Sequence, residues 1–172
     1  MKSILSLVLC VLALGLFLPA ATAQSPDLIH EDRDMVRVMR HPDGTKSVYK
    51  RQANWKGMRC ATYTASGKLA AIHDYTEGKY GQLVGCIIYN DKREVIYKVS
   101  YGYDAQARLI EERMFTTKGK LVQRVIYRYD AEGKRSKPLI VSLNSAIGEI
   151  RPTMGDGADQ IHKEMGGGRR RR

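Results

Sequence analysis

Apolar and polar positions alternate with a period of two through most of this chain. Val95, Tyr97, Val99, Tyr101 and Tyr103 interleave with Ile96, Lys98, Ser100, Gly102 and Asp104; Leu121, Val125, Tyr127 and Tyr129 interleave with Arg124, Arg128 and Asp130. Alternation in β-branched and aromatic residues marks a half-buried strand. Helical spacing fails here, because Gly or Asp interrupts each segment before two helical turns are complete. The pattern predicts strands near 34–40, 45–51, 58–64, 68–75, 83–90, 94–104, 108–116 and 120–130, and a last one over 139–143 after Pro138.

The intervening residues carry turn chemistry. Asp130-Ala131-Glu132-Gly133 has a side chain that can bond the turn backbone, and a Gly where a type I turn with a G1 bulge needs positive φ. His41-Pro42-Asp43-Gly44, Ala65-Ser66-Gly67 and Thr117-Lys118-Gly119 supply similar turns. Arg93 and Ala107 stand where Gly is expected. A left-handed non-Gly residue costs about 1–2 kcal/mol, so these two turns are expected to be of another type.

Aromatics mark the turns at short intervals. Tyr63, Tyr75, Tyr89, Tyr103, Phe115 and Tyr129 are spaced 12, 14, 14, 12 and 14 residues apart. Four of them open a unit of aromatic, three residues, a small residue or Arg, one residue, then Leu or Val: Tyr63–Gly67–Leu69, Tyr89–Arg93–Val95, Tyr103–Ala107–Leu109 and Phe115–Gly119–Leu121. One hairpin element is used repeatedly. The expected fold is all-β, an antiparallel β-meander of about eight to nine strands built from short hairpin repeats. The marker aromatics share odd numbering, which puts them on one face if the turns preserve register. The other face then holds Ile72, Val84, Ile88, Ile96, Ile110, Met114, Val122 and Ile126, mixed with Lys98, Glu112 and Arg124. Apolar residues on both faces predict a sheet that curls, partly closes, or is covered by another segment.

The termini differ from the middle. Met1-Lys2, the uncharged run from Ile4 to Leu18, Pro19 and Ala21-Thr22-Ala23 have the form of a signal peptide cleaved after Ala23. The run is shorter than the roughly 20 apolar residues that span a bilayer. The expected organisation is a leader over 1–23, an N-terminal extension with the first hairpin over 24–57, the repeat meander over 58–145, and a flexible basic tail over 146–172. Within the tail, 158–165 suits a short helix, and the glycines and arginines from Gly166 to Arg172 suit disorder. The implied destination is export: periplasmic, cell-surface or secreted. Lys and Arg number 29 against 18 Asp and Glu, a net charge of +11, of which Arg169, Arg170, Arg171 and Arg172 contribute four. That excess favours anionic partners, an envelope polymer or a lipid surface. It equally suits a sheet kept soluble by surface cations.

Tyr103-Asp104-Ala105-Gln106-Ala107-Arg108-Leu109 and Tyr129-Asp130-Ala131-Glu132-Gly133-Lys134 resemble the tyrosine-aspartate repeats of RHS-type exported proteins, Tyr-Asp-x-x-Gly-x-Leu, over roughly 62–134. Asp follows the aromatic in only two units, and Gly is missing from two of the four complete ones. Tyr75-Thr76-Glu77-Gly78-Lys79, with Gly85 and Tyr89, is also similar to short MORN-like Tyr-Gly repeats. Both resemblances imply hairpin arrays without catalytic residues in the repeats, and the RHS type implies shells, surface contact and carbohydrate binding.

Candidate chemistry is sparse. Cys60 and Cys86 remain after the leader, with Cys10, is removed. They are either two buried thiols or a disulfide. In a plain meander one strand separates them, and two inter-strand steps of about 4.8 Å exceed the roughly 7 Å a bridge tolerates. Of His30, His41, His73 and His162, His41 lies in a turn and His162 in the tail, neither of them organised, while His73 stands beside Asp74 and alternation sends the two to opposite faces. The same holds for Glu111 and Glu112; Arg108, Arg113 and Lys98 offer these carboxylates simple charge pairs. No nucleophile elbow, phosphate loop or metal spacing is present, so no catalytic residue, metal or cofactor is expected. A hydrolase built around His73 or Glu112 is the least supported alternative. The expected function is non-enzymatic binding or scaffolding through a basic, tyrosine-bearing sheet surface. Its candidate residues are Tyr97, Tyr101, Tyr127, Arg128 and Tyr129, with the arginine tail for charge. Tyrosines could stack sugars or bases, or simply fill a cross-strand ladder; no specific nucleic acid is implied. Self-association through open sheet edges is the structural alternative.

Overall fold

The computed structural model describes residues 35–51, 56–144, 150–154 and 157–166. Nine strands among them form one antiparallel sheet in sequence order: β1 (Met35–Arg40), β2 (Lys46–Arg51), β3 (Gly57–Tyr63), β4 (Leu69–Glu77), β5 (Leu83–Tyr89), β6 (Val95–Tyr103), β7 (Leu109–Thr116), β8 (Leu121–Ile126) and β9 (Leu139–Ser142). The expected meander is present and does not close into a barrel; β1 and β9 end the sheet. Residues 1–23, where a leader is expected, Trp55 and Arg169–Arg172 lie outside the described residues.

All seven described hairpin turns share one geometry. In each, the N–H of the first residue donates to the carbonyl four residues on, and the N–H three residues on donates back: His41, Thr64, Gly78, Asn90, Asp104, Thr116 and Asp130 open them. The fourth residue is left-handed every time: Gly44, Gly67, Gly81, Arg93, Ala107, Gly119 and Gly133. Arg93 (φ 65°) and Ala107 (φ 58°) therefore do not adopt another turn type, contrary to the expectation from their side chains. The residue opening each of those turns explains why. Asn90 Oδ1 accepts the N–H of Lys92 at 3.0 Å and of Glu94 at 2.9 Å. Asp104 Oδ1 accepts those of Gln106 at 3.0 Å and Arg108 at 2.8 Å. Two bonds of this kind offset a backbone cost of about 1–2 kcal/mol.

Beside each turn from β3 to β8 the pairing slips by one residue, at Tyr63, Glu77, Tyr89, Tyr103 and Phe115. A bulge inserts one extra residue into one strand. Facing residues consequently change parity at every step: Tyr75 pairs with Cys86, Cys86 with Val99, Val99 with Met114, and Met114 with Gln123. Odd-numbered aromatics are therefore divided between the faces. Tyr75, Tyr97 and Tyr101 lie on one, while Tyr89, which pairs with Ile72, lies on the other.

With Glu77 rather than Tyr75 as the turn marker, the intervals become a strict 14, 12, 14, 12, 14. The true repeat is a double hairpin of 26 residues, and 57–82, 83–108 and 109–134 align without a gap. Tyr49, Tyr75, Tyr101 and Tyr127 occupy one column of it, all buried. Cys60, Cys86 and Glu112 occupy another, buried as well.

The C-terminal segment covers the face that carries this ladder. Met154, and Ala158, Ile161 and Met165 from helix α1 (Ala158–Glu164) and its end, join one core with Tyr49, Met58, Tyr75, Leu83, Val99, Tyr101, Met114, Val125 and Tyr127. The short helix is where the sequence suggested one. The expectation of a flexible tail over 146–172 fails for 150–154 and 157–166, because their apolar residues complete a core the meander cannot close by itself.

Candidate functional site

Buried polar contacts fasten the cover to the sheet. Glu112 is 2 % exposed, and among the described residues its carboxylate meets hydrogen-bond donors without a cation. Its Oε2 accepts the Thr153 N–H and hydroxyl, both at 2.8 Å; its Oε1 accepts the Met154 N–H at 3.1 Å and the Tyr127 hydroxyl. Tyr75 donates to the Thr153 carbonyl at 2.9 Å, and the Tyr101 and Thr153 hydroxyls meet at 2.6 Å. Burial raises the pKa of Tyr75, Tyr101 and Tyr127, so all three phenols stay protonated and able to donate. Gln123 grips the same segment from β8, donating to the Ile150 carbonyl at 2.7 Å and accepting its N–H at 2.8 Å.

A second cluster holds α1. The His162 side chain lies between Arg51 and Glu77, and Arg51 Nη2 stands 2.9 Å from Glu77 Oε2. Arg51 Nη1 is 3.1 Å from His162 Nδ1, and a guanidinium can only donate, so Nδ1 is the acceptor. The proton then sits on Nε2, which faces the Gly81 carbonyl at 3.2 Å. Burial, then the field of Arg51, lowers the His162 pKa below its usual 6.5. His162 and His41, which the sequence left unorganised, are both held by specific partners; His41 Nε2 is 2.9 Å from Ser47 Oγ.

These contacts relocate the sequence-predicted binding residues. Tyr101 and Tyr127 are buried, and Tyr97 and Tyr129 pack half-buried against the same core. Tyr129 donates to the Leu109 carbonyl at 2.9 Å under the Arg108 guanidinium. Among the described members of that group only Arg128 is exposed, and the four tyrosines share the covered face rather than an open one. Cys60 and Cys86 carry separate thiols: Cys60 pairs with Tyr49 and His73, Cys86 with Tyr75 and Val99, and β4 lies between them. Burial pushes the Cys86 thiol pKa up, which keeps it unreactive. His73 and Asp74 do diverge, as do Glu111 and Glu112. Asp74 pairs with Arg59 at 2.6 Å, and Glu111 with Arg124 at 2.6 Å and Arg113 at 3.6 Å, all on the face away from the cover.

That second face carries charged side chains from neighbouring strands. The pairing register places Lys46, Lys50, Arg59, Lys98, Arg113 and Arg124 on it, against Asp74 and Glu111. Tyr63, Tyr89 and Phe115 stand among these charges, half-buried, with Lys46 Nζ 5.1 Å from the Tyr63 ring centre. No described segment covers it. No group of three or more His, Cys, Asp or Glu side chains able to hold a metal occurs among the described residues. No helix among the described residues is long and apolar enough to cross a membrane. No protein-family model and no curated protein matches the chain.

Proposed function

We propose that this chain is an exported, non-enzymatic β-repeat protein that binds an anionic polymer of the cell envelope through the sheet face opposite its C-terminal cover. The observation that carries the reading is the charge on that face: Lys46, Lys50, Arg59, Lys98, Arg113 and Arg124, with Arg40 paired to Lys46, make seven cations of the described strands against two carboxylates, with tyrosines between them. The tyrosines concerned are Tyr63 and Tyr89 in place of the buried Tyr101 and Tyr127. Strand spacing of about 4.8 Å sets neighbouring rows of cations at intervals that an extended polyanion can follow. The leader-like first 23 residues and the resemblance to RHS-type repeats support export and a repeat scaffold. The test is retention on immobilised heparin. The chain should elute with salt, and Lys98→Glu with Arg113→Glu should advance elution without changing thermal stability. Retention that ignores salt, or is unchanged in the double variant, overturns the assignment.

A second reading rests on β1, where Met35, Val36 and Val38 are 43–58 % exposed along a sheet edge. An exposed apolar edge is a template for pairing with a sister chain. Sedimentation that shows a concentration-dependent mass, abolished by Val36→Lys, distinguishes it from polymer binding.

A further inference from the structure

The three repeat units and the strand preceding them provide an internal control for the covered face. Four equivalent cross-strand pairs recur down the sheet: Ser47 with Thr62, His73 with Ile88, Val99 with Met114, and Val125 with Ile140. The last two are wholly apolar, the first wholly polar. The neighbouring column behaves alike: Ala71 stands where the later units have Tyr97 and Gln123. Small and polar residues thus replace large ones at one end of one face, and the volume they leave is not refilled. A cavity of about 180 Å³ lies there, between β2, β3, β4 and the covering segment at Arg151–Thr153.

We propose that this cavity is a binding site for a small organic carboxylate. Its lining carries imidazoles, hydroxyls and one guanidinium, from His41, His73, Ser47, Thr62 and Arg151, and no Asp or Glu. Ser47 Oγ lies 2.9 Å from His41 Nε2 and 3.3 Å from Thr62 Oγ1, a fixed chain of donors and acceptors at the floor. Arg151 makes no ion pair or side-chain hydrogen bond with another described residue. Asp43, a carboxylate within its field, is turned to the Thr45 N–H and hydroxyl at 3.0 and 2.6 Å. One exposed guanidinium with neutral hydroxyl donors matches a single negative charge; a phosphate dianion calls for more. The rings of Tyr49 and Tyr75 and the Ala71 methyl offer a short apolar body its contacts. The volume is below the roughly 300 Å³ of cavities that take drug-sized ligands, which limits the guest to a few heavy atoms. This site is on the opposite side of the sheet from the polymer-binding face and does not depend on it.

The experiment is an amide chemical-shift titration of the full chain with butyrate, benzoate and inorganic phosphate. At least one carboxylate is expected to give saturable shifts centred on Ser47, Thr62, His73 and Thr153. Arg151→Gln should weaken binding about tenfold or more, as loss of a charge-assisted hydrogen bond would. Ala71→Tyr and Thr62→Ile restore residues the repeat itself uses at Tyr97 and Ile88. Each should abolish the shifts while the thermal midpoint holds or rises. Failure of both carboxylates to saturate by 10-fold excess over about 1 mM protein overturns the proposal. Equal binding of phosphate, or binding that survives both cavity-filling variants, also overturns it. Heparin retention should be unaffected by Ala71→Tyr, which separates failure here from failure of the polymer reading.

Discussion

The two faces of this sheet are built from the same alternating strands and held by different physics. On the covered face, the Glu112 carboxylate and the Tyr75, Tyr101 and Tyr127 hydroxyls have exchanged water for Thr153 and Met154 or for one another. Each bond there is dear to remove, because the group left behind is buried without a partner. On the open face, Arg59–Asp74 and Glu111–Arg124 are equally short but solvated, and such pairs contribute about 0–1 kcal/mol. Contact distance alone does not rank interactions; burial does.

Mutations should widen that contrast. The largest effect is expected from Glu112→Ala, which strands four buried donors and should cost about 3 kcal/mol or more in urea unfolding; Glu112→Gln, retaining one acceptor, should cost less. A loss under about 1 kcal/mol would show that the cover contributes little to stability. Next come the turns. Gly119→Ala meets no neighbouring atom and pays only for its positive φ, about 1–2 kcal/mol, whereas Arg93→Gly should raise stability by up to about 1 kcal/mol. Equal behaviour of the two would mean that the Asn90 side chain removes the strain completely.

Acid should act through His162. A second proton on its ring would turn Nδ1–H against the Arg51 guanidinium; Glu77 and the Gly81 carbonyl face the other nitrogen. Its folded pKa lies below the unfolded 6.5, so the unfolded chain binds the proton more readily. The contribution is fully present above pH 6.5 and falls away as pH drops towards the lowered folded value, by no more than about 1.4 kcal/mol per pH unit. His162→Gln should flatten that slope in thermal melts taken between pH 7 and 5. The smallest effect is Arg59→Ala on the open face, expected within about 0.5 kcal/mol.

Much of the architecture was legible in the residues themselves. Alternation and turn chemistry placed every strand to within a few positions, since both are local properties of the backbone. The 26-residue repeat is legible too, but Tyr75, a core residue two positions before Glu77, resembles a turn marker and blurs the period. The candidate binding tyrosines fail for a different reason: Tyr97, Tyr101, Tyr127 and Tyr129 do share a face, and it is the one the C-terminal segment covers. Parity along a chain reports a face only while pairing stays in register, and the bulge beside each turn from β3 to β8 puts Tyr63, Tyr89 and Phe115 on the other face. The candidate cavity leaves a faint trace in the repeat: Ser47, Ala71 and Thr62 are the smallest residues of columns that elsewhere hold His73, Val99 and Val125, Tyr97 and Gln123, and Ile88, Met114 and Ile140.

By itself, then, the amino-acid order determined strands, hairpins and their repetition, because strand alternation and turn geometry need only neighbours within a few residues. Tertiary structure alone decided which face is buried. That choice belongs to Met154, Ala158, Ile161 and Met165, which sit far along the chain from the tyrosines they cover and have no periodic signature of their own. It also decided that Glu112 faces a nest of donors while its neighbour Glu111 faces water and arginines. Adjacent carboxylates of identical chemistry acquire different roles because one of them points under a segment that folds back over the sheet.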